Sequence, residues 1–197
     1  MIAEIITIGD ELLIGQVVNT NASFLAEELN KTGIRVVQMT VISDNREQII
    51  RSLNEASGRA KIIIMTGGLG PTNDDITKQT LSEYFNSELV VNEKVLEHIK
   101  FLLSQRGVEL NNKNINQAMV PDNCMILHNE VGTAPGMWFE KDSNIYISLP
   151  GVPYEMKNIF LNYVIPEIQR RYNLPVIKHL TILTHGLPES AMASRIE

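Results

Sequence analysis

Three glycines and two adjacent carboxylates occur together in the middle of the chain, in the segment TGGLGPTNDDIT at residues 66–77 (the glycine turn). An apolar run at residues 61–65 precedes it, and a helical pattern at residues 76–85 follows it. Glycine tolerates positive φ and lets the backbone approach a ligand closely, and the free N–H groups at a helix start attract anions. The segment therefore predicts an anion-binding turn between a buried strand and a helix.

The acidic residues distinguish the glycine turn from an ordinary phosphate-binding loop. The common motif has a lysine after its last glycine, whereas this chain has Pro71 there, with Asp74 and Asp75 beyond it. Carboxylates repel phosphate unless a cation lies between the two, so the segment favours a divalent metal ion. The structural alternative makes Asn73 or Asp74 a helix cap and lets Asp75 complement the helix dipole, worth roughly 0.3–1 kcal/mol. That alternative does not explain the three glycines.

Acidic residues also follow the first two predicted strands. Gly9, Asp10 and Glu11 come after the first apolar run, and Asp44 comes after the second. Open α/β sheets bind ligands at the edge where their strands end, which would gather these residues beside the glycine turn. The alternatives are a solvated loop for the first group and a helix cap for Asp44.

Two later segments carry glycines beside small or hydroxyl residues. They are NEVGTAPG at residues 129–136 and LPGVPYEM at residues 149–156. Both compositions suit close approach to a ligand. An equal alternative is that they are simply the turns on either side of a β-hairpin.

The remaining reactive side chains show no catalytic pattern. The four histidines have no metal-ligand spacing among themselves: His98, His128, His179 and His185. Cys124 has no activating partner beside it in the sequence, and no Gly-x-Ser-x-Gly nucleophile elbow is present. What is left is a ring of carboxylates around glycine-lined anion sites, which favours metal-assisted attack of water on a phosphate.

Length and charge narrow the classes of protein. A chain of 197 residues is long enough for one well-buried domain. A net charge of −6 argues against a nucleic-acid partner, which would require a basic face. One cysteine cannot form an internal disulfide, and neither a signal peptide nor a membrane-spanning run is evident. We therefore expect a cytoplasmic protein with no membrane partner.

Apolar periodicity predicts an α/β fold in which strands and helices alternate. The predicted strands lie at residues 2–8, 34–42, 62–65, 125–127, 135–140 and 144–149. The predicted helices lie at residues 20–33, 46–57, 76–85, 93–105 and 111–119, with another from 154 to 172 that Pro166 kinks or divides. We predict a loop at residues 12–16, a linker at 174–175, a strand at 176–184, and a helix from 187 that the chain end cuts off.

Several motifs in this order resemble a known family. The glycine turn, through Thr66, Gly67, Gly68, Gly70, Asp75 and Thr77, resembles the motif of molybdopterin-binding domains. The chain is further identified as a member of the competence/damage-inducible CinA family by GDELL at 9–13, NTN at 19–21, Leu69, and the segments 129–136 and 149–156. The resemblance covers roughly residues 1–172.

The resemblance implies a three-layer α/β/α molybdopterin-binding-like (MoaB/MogA-like) domain, with a mostly parallel sheet and a small inserted subdomain, over residues 1–173. Residues 174–197 would be a linker and the truncated start of a second small α/β domain, and any amidase domain of longer relatives would be absent. The implied activity is metal-dependent hydrolysis of ADP-ribose to AMP and ribose 5-phosphate. Magnesium, cobalt or manganese would be the cofactor, with a potassium ion as a further candidate. The partners would be a small-molecule nucleotide and a second copy in a homodimer.

The expected mechanism assigns roles to these positions. Backbone amides of Gly67, Gly68 and Gly70 cradle the pyrophosphate. The candidate metal ligands are Asp10, Asp44, Asp74 and Asp75, and the catalytic candidates are Asp75, Asp44 and Asp10, with Asp75 orienting or deprotonating the water. The other candidates for substrate contact are Gly9, Glu11, Asn19, Asn21, Leu69, Thr77, Gly132, Thr133, Pro150, Gly151 and Glu155.

Two other functions stay open. In the molybdopterin branch, the residues at the positions of Asp44 and Asp75 are thought to serve adenylyl transfer, so an adenylyltransferase is the runner-up. Leu69 and the block at residues 19–21 count against it, because they mark the CinA branch. The third possibility is a non-catalytic domain that senses a nucleotide for a downstream enzyme.

Overall fold

The computed structural model describes residues 1–72, 75–105, 107–174, 185–186, 188 and 191–193. Its strands are β1 Ile2–Ile8, β2 Arg35–Ile42, β3 Ile62–Thr66, β4 Leu89–Val91, β5 Met119–Pro121, β6 Met125–Leu127, β7 Gly136–Lys141 and β8 Asn144–Leu149. Its helices are α1 Asp10–Leu13, α2 Thr20–Lys31, α3 Arg46–Ser57, α4 Thr77–Tyr84, α5 Glu93–Gln105, α6 Asn112–Gln117, α7 Pro153–Ile159 and α8 Ile165–Arg171. The predicted strand at 176–184 lies outside the described residues, as does most of the predicted terminal helix.

Six strands form the central sheet, in the order β2-β1-β3-β8-β7-β6. The first four of these run parallel, and β7 pairs antiparallel with both β8 and β6. Thr7 is in register with Thr66, and Thr66 is in register with Leu149. The turns that follow β1, β3 and β8 therefore leave the sheet at the same edge. The predicted α/β class and mostly parallel sheet are confirmed.

Isoleucines of the inner strands divide their side chains between two cores. Ile62 and Ile64 of β3 pack with α2, α7 and α8, whereas Ile63 and Met65 pack with α3 and α4. This alternation is the two-residue period of a strand that is covered on both faces. Complete burial of each such side chain is worth about 1.5–3 kcal/mol. The predicted three-layer α/β/α arrangement is therefore confirmed.

A carboxylate is buried inside the sheet. Glu4 of β1 is 1% exposed, and the Nε and Nη2 atoms of Arg59 donate to its two oxygens at 3.0 and 2.8 Å. Both oxygens are thus satisfied by one planar guanidinium. This ion pair lies toward the start of β1, away from the edge where the strand ends.

The inserted subdomain contains two strands that the sequence analysis missed. The three-residue strands β4 and β5 pair antiparallel, and α5 and α6 pack beside them around a small core of Val95, Ile99, Leu103 and Ala118. A three-residue strand is too short to display the two-residue period on which the prediction relied. The short helix predicted within residues 111–119 is confirmed as α6, which ends at Gln117 before Met119 begins β5.

Two further local predictions are settled by the structure. The loop predicted from residue 12 is partly wrong, because Asp10–Leu13 form the short helix α1, which has no buried residue and so gave no apolar period. The predicted disruption at Pro166 is confirmed. A π-helical turn, Phe160–Val164, separates α7 from α8, and Pro166 lies in the first turn of α8. Within the described ranges, no helix is both long and apolar enough to cross a membrane.

Candidate functional site

A cavity of about 320 Å³ opens at the edge where the parallel strands end (the acidic cleft). Its lining comes from the turns after β1, β2, β3 and β8: Ile8, Gly9, Glu11, Asp44, Gly67, Gly68, Leu69, Gly70, Asp75, Gly151 and Val152. Parallel register brings these turns together, although they lie far apart in the sequence. The structure thus unites most of the residues predicted from the first strand, the second strand and the glycine turn.

Two glycines of the cleft combine a positive φ with a lack of space for a side chain. Gly67 has φ +116, and a Cβ there would lie 2.1 Å from the backbone oxygen of Ile8. Gly68 has φ +64, and its Cβ would lie 2.1 Å from Thr77 Oγ1 and 3.1 Å from Asp44 Oδ1. The turn therefore uses glycine both for its positive φ and for close packing.

The prediction that the Gly67 amide binds the pyrophosphate is wrong. Its N–H donates to the carbonyl of Leu149 at 3.1 Å and so extends the pairing of β3 with β8. In the described part of the chain, the N–H groups of Gly68 and Gly70 donate no backbone hydrogen bond. These two amides, rather than that of Gly67, are therefore the candidates for donating to a ligand.

Asp75 does not cap helix α4. The helix begins at Thr77, and its N-cap Ile76 makes no side-chain capping bond. Asp75 Oδ2 instead accepts from the Thr72 backbone N–H at 2.8 Å and from the Thr72 hydroxyl. Asp75 therefore closes the glycine turn, and a Cβ on Gly70 would lie 2.6 Å from its Oδ2.

Asp44 does not cap a helix either. Asn45 caps α3, because its side chain accepts from the N–H groups of Glu47 and Gln48 at 3.0 and 3.2 Å. Burial raises the pKa of the Asp44 carboxyl above its usual range, and the charges of Asp10, Glu11 and Asp75 raise that pKa further. A hydrogen bond from the Asp10 backbone acts in the opposite direction. A cation beside Asp44 would relieve this crowding of like charges.

The carboxylates of the cleft suit a hydrated divalent ion better than a closed cage of protein ligands. Among the described residues, no three histidine, cysteine or acidic side chains are grouped closely enough to hold a metal ion. Magnesium commonly keeps several waters and binds through one or two carboxylates and substrate phosphates. Glu11, Asp44 and Asp75 line the cavity and are the candidates for such contacts. Asp10 is exposed on α1 and does not line it, and Asp74 lies outside the described residues.

Unpaired buried oxygens also mark the cleft and its neighbourhood. Thr77 Oγ1 is buried behind Gly68, and within the described structure it has no hydrogen-bond partner. Asn21 Oδ1 is likewise buried with no hydrogen-bond partner in the described structure. Asn21 lines an adjoining cavity of about 100 Å³, which Asn19 and Thr66 also line. Buried polar atoms are normally paired, so both oxygens are candidates for contact with a ligand or a water.

The asparagines at residues 19–21 hold the cleft together. Asn19 caps α2 by accepting from Ala22 N–H at 3.1 Å, and its Nδ2 donates to Thr7 Oγ1 at 3.0 Å. Asn21 Nδ2 donates to Thr66 Oγ1 at 3.2 Å and to the Gly151 carbonyl at 2.8 Å. These bonds join β1, α2, β3 and the turn after β8.

The predicted residues Gly132, Thr133 and Glu155 do not line the acidic cleft. Gly132 and Glu155 belong to a neighbouring cluster in which Asn129 Nδ2 donates to Glu155 Oε2 at 2.7 Å and to the Ala134 carbonyl at 2.8 Å. A Cβ on Gly132 would lie 2.2 Å from the Glu155 carboxylate. The described contacts give this cluster a supporting role in the turn.

Pro150, another predicted contact, also lies behind the cleft. It is absent from the cleft lining, and its carbonyl accepts from Thr66 Oγ1 at 2.8 Å. Its described role is to tie the end of β3 to the turn after β8.

A second large cavity, of about 450 Å³, lies between α4 and the inserted subdomain (the basic cavity) and was not predicted from the sequence. Gly70 and Asp75 line it as well as the acidic cleft, and Lys78 and Lys113 bring two positive charges. Burial lowers the pKa of Lys78 to about 8, although the charge of Asp75 acts to raise it. Lys78 follows Asp75 by three residues, which was an available signal, but the position of Lys113 depends on the tertiary fold.

Two histidines that seemed unrelated in sequence meet away from the cleft. The rings of His98 and His128 lie 4.5 Å apart, and burial, followed by the charge of His98, lowers the pKa of His128. Burial also raises the pKa of the Cys124 thiol to about 12, so little of it is thiolate near neutral pH. None of these three residues lines the acidic cleft or the basic cavity.

Comparisons with known proteins identify the family to which this chain is similar. A family model described as a probable molybdopterin binding domain matches residues 4–170. A CinA-like protein of Flavobacterium psychrophilum is 51% identical over 100% of this chain and 47% of its own length. A putative competence-damage inducible protein of Clostridium botulinum is 42% identical over 100% of this chain and 48% of its own length. The chain spans about half the length of these curated relatives.

Solved structures agree with these sequence relatives. The protein CinA from Thermoplasma acidophilum, described as having unknown function, has a TM-score of 0.74 and 31% identity, covering 86% of this chain and 96% of its own. The molybdopterin biosynthesis enzyme MoaB of Thermus thermophilus has a TM-score of 0.58 at 18% identity, covering 86% of this chain and 92% of its own, which shows a shared fold alone. The expected MoaB/MogA-like fold is confirmed. The chain belongs to the molybdopterin-binding domain family and, within it, to the CinA-like, competence-damage inducible proteins.

Proposed function

We propose that this domain is a metal-dependent hydrolase of a nucleotide diphosphate, and that it converts ADP-ribose to AMP and ribose 5-phosphate. The observation that supports this proposal is the crowding of Glu11, Asp44 and Asp75 around a glycine-lined cavity. Acids so placed disfavour a bare phosphate and favour a phosphate that arrives with a cation. A nucleotide diphosphate is the ligand class that commonly needs such a cation.

Each side chain of the cleft has a proposed task. Asp44 and Asp75 would hold a divalent ion, with Glu11 beside them, and a bound ion would lower the pKa of a water and polarise the phosphoryl oxygens. The N–H groups of Gly68 and Gly70 would hold the diphosphate oxygens. Asp75, fixed by Thr72, would orient the attacking water and accept its proton. The water oxygen would bond to one phosphorus atom of the diphosphate. The bond from that phosphorus to the bridging oxygen would break, and the bridging oxygen would leave with the other phosphate.

The second candidate is binding or adenylylation of molybdopterin, and the family match over residues 4–170 is the observation that favours it. Nucleotide sensing without turnover would use the same cleft. In all three cases the glycine turn binds phosphate oxygens. The candidates differ in whether a water, a second substrate or neither reaches the phosphorus atom.

The test is to incubate the chain with ADP-ribose and magnesium, cobalt or manganese, with and without potassium, and to measure AMP. We expect AMP only with a divalent ion, and a rate at least about 100-fold lower for Asp75→Asn. Asp142→Asn is the matched control, because Asp142 lies in the β7–β8 turn at φ +52, where asparagine is well tolerated. Full turnover by Asp75→Asn, or no AMP from the wild type with any of the three metals, contradicts the hydrolase. Binding of ADP-ribose without turnover would favour the sensing role.

A further inference from the structure

The basic cavity differs in charge from the cleft that it adjoins. Its titratable residues are Asp75, Lys78 and Lys113, whereas the acidic cleft has Glu11, Asp44 and Asp75 and no lysine or arginine among its described lining. Asparagine and glutamine side chains line the basic cavity as well, and their amides can donate hydrogen bonds. Two ammonium groups and several amides around one volume are a donor set for an anion.

We propose that the basic cavity is a phosphate subsite, in which Lys78 and Lys113 bind the phosphate of the ribose 5-phosphate half of the substrate and of the product that hydrolysis releases. This inference rests on the proposed hydrolase function, because it assigns the two halves of a diphosphate to two adjoining volumes. Gly70 and Asp75 line both volumes, so a diphosphate at the glycine turn can extend from one into the other. The volume of about 450 Å³ is in the range of small-molecule sites.

The contact of Lys78 with the inserted subdomain is compatible with this role. Its Nζ donates to the backbone carbonyl of Asn116 and so ties α4 to the end of α6. An ammonium group has three donors, so this bond leaves two for a phosphate. Lys113 is exposed on α6 and approaches the same volume from the other side. A phosphate between them would be held by both the main domain and the inserted subdomain.

The experiment measures direct binding in the absence of metal, so that it does not depend on turnover. Ribose 5-phosphate, inorganic phosphate and ribose are titrated separately into the chain in EDTA, and heat or amide chemical shifts are recorded. We expect ribose 5-phosphate to bind at millimolar concentration, inorganic phosphate to bind more weakly, and ribose not to bind. Lys113→Met should weaken ribose 5-phosphate at least about tenfold, as expected for loss of a charged hydrogen bond.

The matched control is Lys100→Met, which removes the same charge from an exposed position on α5, outside the basic cavity. Its affinity for ribose 5-phosphate should stay within about twofold of the wild type, since long-range charge effects are screened. Lys113 is the main variant because its side chain is exposed. Lys78→Met also removes the tie to Asn116, so Lys78→Arg accompanies it and should restore part of the binding.

The outcomes separate this inference from the proposed function. Unchanged binding in Lys113→Met, equal loss in Lys100→Met, or no binding of either phosphate by the wild type overturns the subsite. Loss of binding in Lys113→Met from a chain that never hydrolyses ADP-ribose overturns the hydrolase and keeps the subsite. Hydrolysis with a KM for ADP-ribose that Lys113→Met leaves unchanged keeps the hydrolase and counts against the subsite.

Discussion

The acidic cleft and the basic cavity share Gly70 and Asp75 but are constructed differently. The cleft is made by backbone turns at the ends of buried parallel strands, so strand register fixes its shape. The cavity is made by side chains of α4 and the inserted subdomain, which has its own small core. We therefore expect the first to be the more rigid, whereas the shape of the second depends on how α4 and the inserted subdomain pack together.

The largest expected effect tests the rigidity of the cleft. Gly67→Ala should lower the free energy of unfolding by about 3 kcal/mol or more, because its Cβ would lie 2.1 Å from a backbone oxygen that cannot move aside. Gly15→Ala is the control, since it shares a positive φ but has open space around it, and it should cost about 1–2 kcal/mol. Urea unfolding measures both. Equal losses would show that the clash is absorbed by the turn.

The next effect separates function from stability within the cleft. Asp44→Asn should reduce hydrolysis about 100-fold, because a candidate metal ligand is lost. In EDTA the same variant should unfold at a higher urea concentration than the wild type, because one of several neighbouring negative charges is removed. Asp142→Asn should change neither quantity. A lower unfolding midpoint for Asp44→Asn would mean that the carboxylate stabilises the fold.

A third prediction concerns the charge buried on the basic side. The folded pKa of Lys78, about 8, lies below the unfolded value of roughly 10.4, so the unfolded chain binds more protons between these pH values. The contribution of Lys78 to stability should therefore rise with pH across this window, by roughly 1–2 kcal/mol after allowance for partial hydration. The raised pKa of the Cys124 thiol acts in the opposite direction in every variant, so the measured quantity is the difference between variants. From pH 7.5 to pH 10 in EDTA, Lys78→Met should gain less stability, or lose more, than the wild type, and Lys100→Met should match the wild type. An equal pH dependence in all three proteins would contradict the prediction.

A smaller effect tests whether the Asn129 cluster stands apart from the cleft. Gly132→Ala should push the Glu155 carboxylate away from Asn129 and cost about 1 kcal/mol of stability through that hydrogen bond. Hydrolysis should stay within about threefold of the wild type, because neither residue lines the acidic cleft. A large loss of activity with stability retained would return Glu155 to the group of residues that contact substrate.

The smallest effect concerns Cys124, which belongs to neither volume. Because burial raises the pKa of its thiol to about 12, it should react with a disulfide reagent at pH 8 at least about tenfold more slowly than free cysteine. Alkylation under denaturing conditions supplies the control for thiol content. Rapid reaction of the folded chain would contradict the burial of this thiol.

Much of the cleft could be predicted because its parts follow strongly patterned strands. Apolar runs such as Ile62–Thr66 indicate where a buried strand ends. Glycines directly after such a run indicate a turn with little room for side chains. Local patterns did not show how each backbone group would be used. The Gly67 amide completes the sheet, and Asn45 rather than Asp44 caps α3.

The basic cavity could not be predicted from the sequence in the same way. Lys113 lies 35 positions after Lys78, and the two meet only because the inserted subdomain folds back beside α4. The three-residue strands that organise this subdomain carry too little periodicity to be seen. The ends of predicted strands therefore give no information about side chains that only tertiary packing brings together.

The pairing of buried Glu4 with exposed Arg59 has an evolutionary consequence. Replacing Arg59 alone leaves the buried Glu4 carboxylate without its cation, which is strongly unfavourable, whereas loss of Glu4 leaves a guanidinium that water can solvate. Relatives that have lost Arg59 should therefore have lost Glu4 as well. Asp44 has no such protein cation among its described contacts, and only selection for ligand binding would hold it in place. Covariation of Glu4 with Arg59 would indicate a constraint on stability, whereas invariance of Asp44 would indicate a constraint on ligand binding.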